Sequence, residues 1–135
     1  MTRRLLPCVI ALASTGATAV AHHSLSSAYD VTRSISIEGV VTQFQFINPH
    51  PIVIVDVTRN GQTRPWRLEM DNRRELEAIG VTTATFKAGD RIIARGSPGH
   101  GDEPRLYIRA LDRPADGLRY EQAGFNPTIR YDRRQ

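Results

Sequence analysis

The sequence predicts a mainly β fold: a small five-stranded barrel with a short helix between strands 3 and 4. Three observations carry this. Strand-like runs rich in β-branched residues occur in the order three, a helix-like segment, then two. The first run changes parity at Gly39, as a bulged strand or a barrel corner does. Asn60-Gly61 separates the second and third runs and is a strong two-residue hairpin signal. That order is the order of an OB-like barrel, whose helix falls between its third and fourth strands. The SH3-like barrel, the nearest competitor, lacks that helix.

Each element has its own justification. Residues 22–34 are small, polar and aperiodic, and read as an extended N-terminal arm. Ile35 and Ile37 share one parity, and after Gly39 the apolar set moves to Val40, Phe44 and Phe46. Asn48-Pro49-His50-Pro51 ends that strand, because two prolines cannot serve a central ladder. The run from Ile52 to Val57 is nearly continuous in β-branched residues, which predicts burial on both faces. Trp66, Leu68 and Met70 alternate with Arg67 and Glu69, the pattern of a half-exposed third strand. Asp71 or Asn72 can cap a helix, with Glu75 completing a capping box and Gly80 at the far end. Leu76 and Ile79 share its apolar face, while Arg73 and Glu77 can pair across it. Lys87-Ala88-Gly89-Asp90 is a turn before a fourth strand, Arg91 to Arg95. A glycine- and proline-rich loop, residues 96–104, leads to a fifth strand in which Leu106, Ile108 and Ala110 alternate with Tyr107 and Arg109. The barrel domain is expected over residues 35–117. Residues 118–135 lack a clear period and read as an extended C-terminal tail.

Residues 1–21 stand outside this fold. Arg3 and Arg4, the apolar stretch Leu5 to Ala13, and Ala19-Val20-Ala21 follow the charge, apolar-core and A-x-A order of a signal peptide. The apolar stretch is too short to span a bilayer, which takes about 20 residues. The expectation is an exported, periplasmic or secreted chain with no transmembrane segment after cleavage. Cys8 lacks an upstream apolar region, so it is a poor lipidation site, and the paired arginines leave the export route open. Cleavage after Ala21 removes Cys8, the one cysteine. Stability then has to come from a core of about 100 residues.

The 135-residue chain carries a formal net charge of +4. Basic and acidic residues balance between His22 and Leu118, however, and the excess lies in the signal and the last seventeen residues. A neutral exported domain argues against nucleic acid as a partner.

His22-His23-Ser24, Asn48-Pro49-His50, Trp66-x-Leu68-Glu69, Gly80 and Lys87-Ala88-Gly89-Asp90 occur in that order. Together they resemble a bacterial family of small exported proteins classified as a domain of unknown function. The resemblance runs from about His22 to Asp116. It implies export and a small β-barrel, and supplies no activity. Pro51 after the Asn-Pro-His motif departs from the usual pattern.

The four histidines, His22, His23, His50 and His100, all fall in arm or loop segments. Solvent exposure alone would account for any one of them. Cleavage after Ala21 would leave an N-terminal histidine, whose α-amine and imidazole chelate one metal together and suit Cu(II). Such an end resembles the copper brace of lytic polysaccharide monooxygenases and of small periplasmic copper carriers. Cleavage after Ala19 would place His22 third, another amino-terminal Cu(II)/Ni(II) arrangement. In an OB barrel the loops joining strands 1–2 and 4–5 flank one face, so His50 and His100 are expected to converge there. The thirteen-residue arm reaches about 43–47 Å if extended and can fold back to them. The leading expectation is therefore a copper site built from His22, His23, His50 and His100.

The alternative is a metal-independent module that binds a small ligand or an envelope protein. Trp66 and Arg67 are its candidate ligand-binding residues, with Arg64, Arg105 and Arg109 as a polar rim. Shared parity with Leu68 and Met70 also suits Trp66 to the core. Catalysis has thin support. Ser24, Ser26 and Ser27 lack a held base, and Glu69 and Asp71 read as solvated sheet edge. No catalytic residue is assigned.

Overall fold

A computed structural model of the chain describes residues 25–124 and 126–132. One helical turn, α1 (Leu25–Ala28), precedes β1 (Ile35–Gln45), β2 (Ile52–Arg59) and β3 (Gln62–Glu69). The helix α2 (Arg73–Ala78) follows, then β4 (Arg91–Pro98), β5 (Arg105–Arg113), β6 (Leu118–Ala123) and β7 (Asn126–Tyr131). The sheet order is β3-β2-β1-β4-β5-β6-β7. A parallel pairing of residues 67–69 of β3 with 105–107 of β5 closes the first five strands into a barrel. With a short helix between its third and fourth strands, this is the predicted OB-like fold.

The barrel closes because β1 serves two partners. Its residues 35–40 pair with β4, and its residues 40–45 pair with β2. Gly39 sits at the corner, where a Cβ would stand 2.5 Å from the Asp56 carbonyl oxygen of the neighbouring strand. The parity change is displaced from the expected position. Ile37 and Val41 both point inward, and the register slips between Val41 and Gln43. Thr42 is thus the extra residue, and the glycine serves close approach instead.

In β2, Val53, Val55 and Val57 fill the interior while Ile54 and Asp56 are half-buried. The expected two-sided burial holds only at the start of the strand, where Ile52 is buried as well; beyond it the outward face is half-buried, because a closed barrel has a single interior. Asn60 and Gly61 both take positive φ (52° and 76°), as the two-residue turn between β2 and β3 requires. Leu68 and Met70 are fully buried, and Leu76 carries α2 into the same core. Asn72 caps α2 by accepting from Arg74 N–H at 2.8 Å. The reciprocal half of the expected capping box is filled by Asp71, whose carboxylate accepts from Asn72 N–H at 2.7 Å.

Three segments differ from expectation. β4 runs on through Gly96 and Ser97 to Pro98, past a register slip at Arg95/Gly96. Residues 25–34 of the arm are not extended. After its helical turn, Tyr29 bridges Gly99, and Asp30 N–H donates to the Pro98 carbonyl at 2.8 Å. Residues 118–131, expected as an extended tail, form the β6–β7 hairpin. The reason is geometric. β3 covers β5 only over residues 105–107, and β6 takes the bare edge from Ala110 to Arg113. Leu118 and Tyr120 are then buried with the barrel core. Among the described residues, no helix is long and apolar enough to cross a membrane.

Candidate functional site

The loop between β1 and β2 is tied down at both ends. Met70 N–H donates to the Pro51 carbonyl and Arg73 N–H to the Pro49 carbonyl, each at 2.9 Å. That holds His50 beside the end of β3. Its Nδ1 lies 2.6 Å from Glu69 Oε1. The other carboxylate oxygen, Oε2, accepts from the Tyr29 hydroxyl at 2.5 Å. One carboxylate therefore joins the arm to the His50 loop.

An ionised carboxylate only accepts, so His50 Nδ1 carries the hydrogen and neutral His50 keeps its lone pair on Nε2. Its side chain is 37% exposed, against 25% for Glu69. The Glu69 hydrogen bond raises the His50 pKa above 6.5 against the opposing effect of burial, with help from the charges of Glu69, Asp71 and Glu75. Burial pushes the Glu69 carboxyl up, but hydrogen bonds from His50 and Tyr29, and the charges of His50 and Arg105, together hold it below its ordinary value. Burial, followed by the Glu69 hydrogen bond, raises Tyr29.

Tyr29 is itself enclosed. Its ring tilts against Tyr107 with centroids 5.8 Å apart, and the Arg105 guanidinium lies 5.3 Å from its centre. Burial and the nearby negative charge of Asp71 push the Tyr107 hydroxyl up to about 12. Asp71 accepts from Gln122 Nε2 of β6 as well as from the helix start. Glu69 and Asp71 are thus held carboxylates, not the solvated sheet edge expected of them. Nothing local in the sequence reveals this, because Tyr29 lies forty residues from Glu69 and Gln122 fifty-one from Asp71.

His100 follows β4. Its Nε2 donates to the Ser26 carbonyl at 2.9 Å, and its backbone N–H lies 3.4 Å from the Ala28 carbonyl. The two histidine loops are linked through His50, Glu69, Tyr29, Gly99 and His100, but each imidazole has its own protein partner. His22 and His23 lie outside the described residues. Among the described residues, no three histidine, cysteine or acidic side chains are grouped to hold a metal ion.

The expected ligand-binding pair is divided by the strand. Trp66 shares the inward parity of Leu68 and is half-buried, whereas Arg67 points to the opposite face and is exposed. The residue over Trp66 is Arg59, its guanidinium 5.4 Å from the ring centre. Of the expected rim, Arg109 stacks over Tyr107 at 5.0 Å. Arg105 Nε lies 2.7 Å from Glu103 Oε2, an ion pair whose N–H is misaligned for a hydrogen bond.

Comparison with curated proteins yields no match. Residues 10–105 match the profile of a family of unknown function, DUF6152, a span running from the apolar N-terminal stretch to the first residue of β5. The chain belongs to that family.

Proposed function

We propose that this protein is exported and binds copper through the amino terminus left by signal cleavage, together with His50 and, on the adjacent loop, His100. One observation carries the reading: Glu69 binds the arm through Tyr29 and His50 through Nδ1, leaving Nε2 as the free donor. A ligating histidine commonly gives its other ring N–H to a carboxylate, which fixes tautomer and orientation. Imidazole and amine nitrogens suit Cu(II), which heads the divalent affinity order. The path to the amino terminus is short. Leu25 opens a turn whose Ser26 and Ala28 carbonyls meet His100, and three residues back to His22 span at most about 11 Å.

The test is Cu(II) titration of secreted protein whose first residue is known from intact mass. Binding tighter than micromolar is expected, with spectroscopic evidence of nitrogen ligation. Removing the His50 ligand in His50→Ala should weaken it, and so should an added N-terminal Met. Glu69→Gln should cost about 10–100-fold in affinity by freeing the imidazole it holds. Affinity should fall with decreasing pH, because protons compete for Nε2. No binding by correctly processed protein, or an unchanged affinity in His50→Ala, would overturn the reading and leave the metal-independent module.

A further inference from the structure

A groove of about 670 Å³ opens beside the β4–β5 loop, with Gly99 and Gly101, the neighbours of His100, in its lining. The approach to β1 supplies Arg33, and the β2–β3 hairpin supplies Arg59, Arg64 and Trp66. The β4–β5 loop supplies Asp102 and Glu103.

The arginines are poorly neutralised. Among the described residues, Arg59 and Arg64 form no ion pair. Arg64 donates to the Asp102 main-chain carbonyl at 2.9 Å, and Arg59 reaches the Ser36 carbonyl only at 3.5 Å. Arg33 has Asp30 as its carboxylate, at 3.9 Å, beyond hydrogen-bond range. Glu103 is already paired with Arg105. A guanidinium has five N–H donors in a fixed fork that fits a carboxylate or phosphate in bidentate fashion. Most of those donors on Arg59 and Arg64 are therefore free for a ligand.

Trp66 adds an apolar surface. The Arg59 guanidinium over its ring is held by attraction to the π face, which limits the ordering cost of binding. Asp102 and Glu103 on the opposing loop can accept from hydroxyl groups. The volume falls within the range of small-molecule sites, about 300–1,000 Å³. We propose that this groove binds a small hydroxylated oxyanion, an acidic sugar or a sugar phosphate, with Arg59 and Arg64 on its charged group and Trp66, beneath Arg59, as part of the wall.

Trp66 is the single tryptophan, so its fluorescence reads the groove directly. The whole secreted protein, with a metal chelator present, is titrated with glucuronate, glucose 1-phosphate and neutral glucose. A saturable change with at least one anion is expected, at a Kd at least about tenfold below that of glucose. The anion that binds tells carboxylate from phosphate recognition, and binding of both assigns the site to the shared oxyanion. Arg64→Ala should weaken binding about tenfold with an unchanged unfolding midpoint, and Arg59→Ala likewise, followed by the indole N–H resonance. Arg67→Ala, on the opposite face of β3, should leave affinity unchanged. Three outcomes overturn the proposal: no saturable response to either anion below about 10 mM, equal affinity for glucose, or equal weakening by Arg67→Ala. The chelator keeps these outcomes separate from the copper reading.

Discussion

Glu69 does at the residue scale what no neighbour in sequence could do, holding two segments with two oxygens. Both of its bonds favour the ionised carboxylate, and the His50 bond favours the imidazolium. His50 has a raised folded pKa, so its contribution to stability is full below about 6.5 and lost as pH rises through that higher value. Glu69 has a depressed one, so its contribution is full above about 4.5 and lost as pH falls through that lower value. The pair is worth most between these limits. Solvent screening of the half-exposed imidazole holds its worth to about 1 kcal/mol. Glu69→Gln should lower the His50 NMR titration midpoint towards 6.5. It should also narrow the stability difference from the unmodified protein as pH rises above the wild-type midpoint. An unchanged midpoint would show that the contact does not persist in solution.

Strand β1 shows at the element scale how two sequence signals with one appearance differ physically. A glycine and an extra residue both disturb alternation. Here Gly39 yields space to Asp56 while Thr42 shifts the register. Gly39→Ala should therefore destabilise by about 1–3 kcal/mol, since the new methyl would stand 2.5 Å from both a carbonyl oxygen and Val55 Cγ1. Thr42→Ser, which keeps the bulge and its hydroxyl, should cost far less. Denaturant midpoints at constant m-value would measure both. The Asn60-Gly61 turn and Asn72 cap were legible because each is a local rule about φ or one hydrogen bond. The end of β4 was not, because Gly96 and Pro98 look like loop residues until β5 lies beside them.

Closure governs the whole molecule. The barrel seals through three residue pairs between β3 and β5, and the rest of that β5 edge is left to β6. The hairpin belongs to the fold's stability. Leu118 and Tyr120 are fully buried, and Arg119 pairs with Asp112 at 2.9 Å. A chain ending at Gly117 loses both side chains, each worth about 2–5 kcal/mol by analogy with large-to-small core substitutions. That approaches the whole stability of a small domain, about 5–15 kcal/mol. The shortened protein should lose its cooperative thermal transition or unfold at a much lower temperature. Retention of the full-length transition would mean the hairpin is peripheral.

The sequence alone determined the barrel and its helix, because alternation, turn chemistry and capping are short-range and their order along the chain selects the topology. It also pointed to a family of unknown function, and the chain belongs to one. It picked out His50, His100 and Trp66 as residue types with chemistry. Tertiary structure decided their partners: Tyr29 for Glu69, Ser26 for His100, Arg59 for Trp66. It also separated Trp66 from Arg67 and turned the supposed tail into two strands. The physical reason is the same throughout. A side chain's partner depends on which strand edge or face remains uncovered after closure, and that is a property of the closed barrel, not of any window of residues.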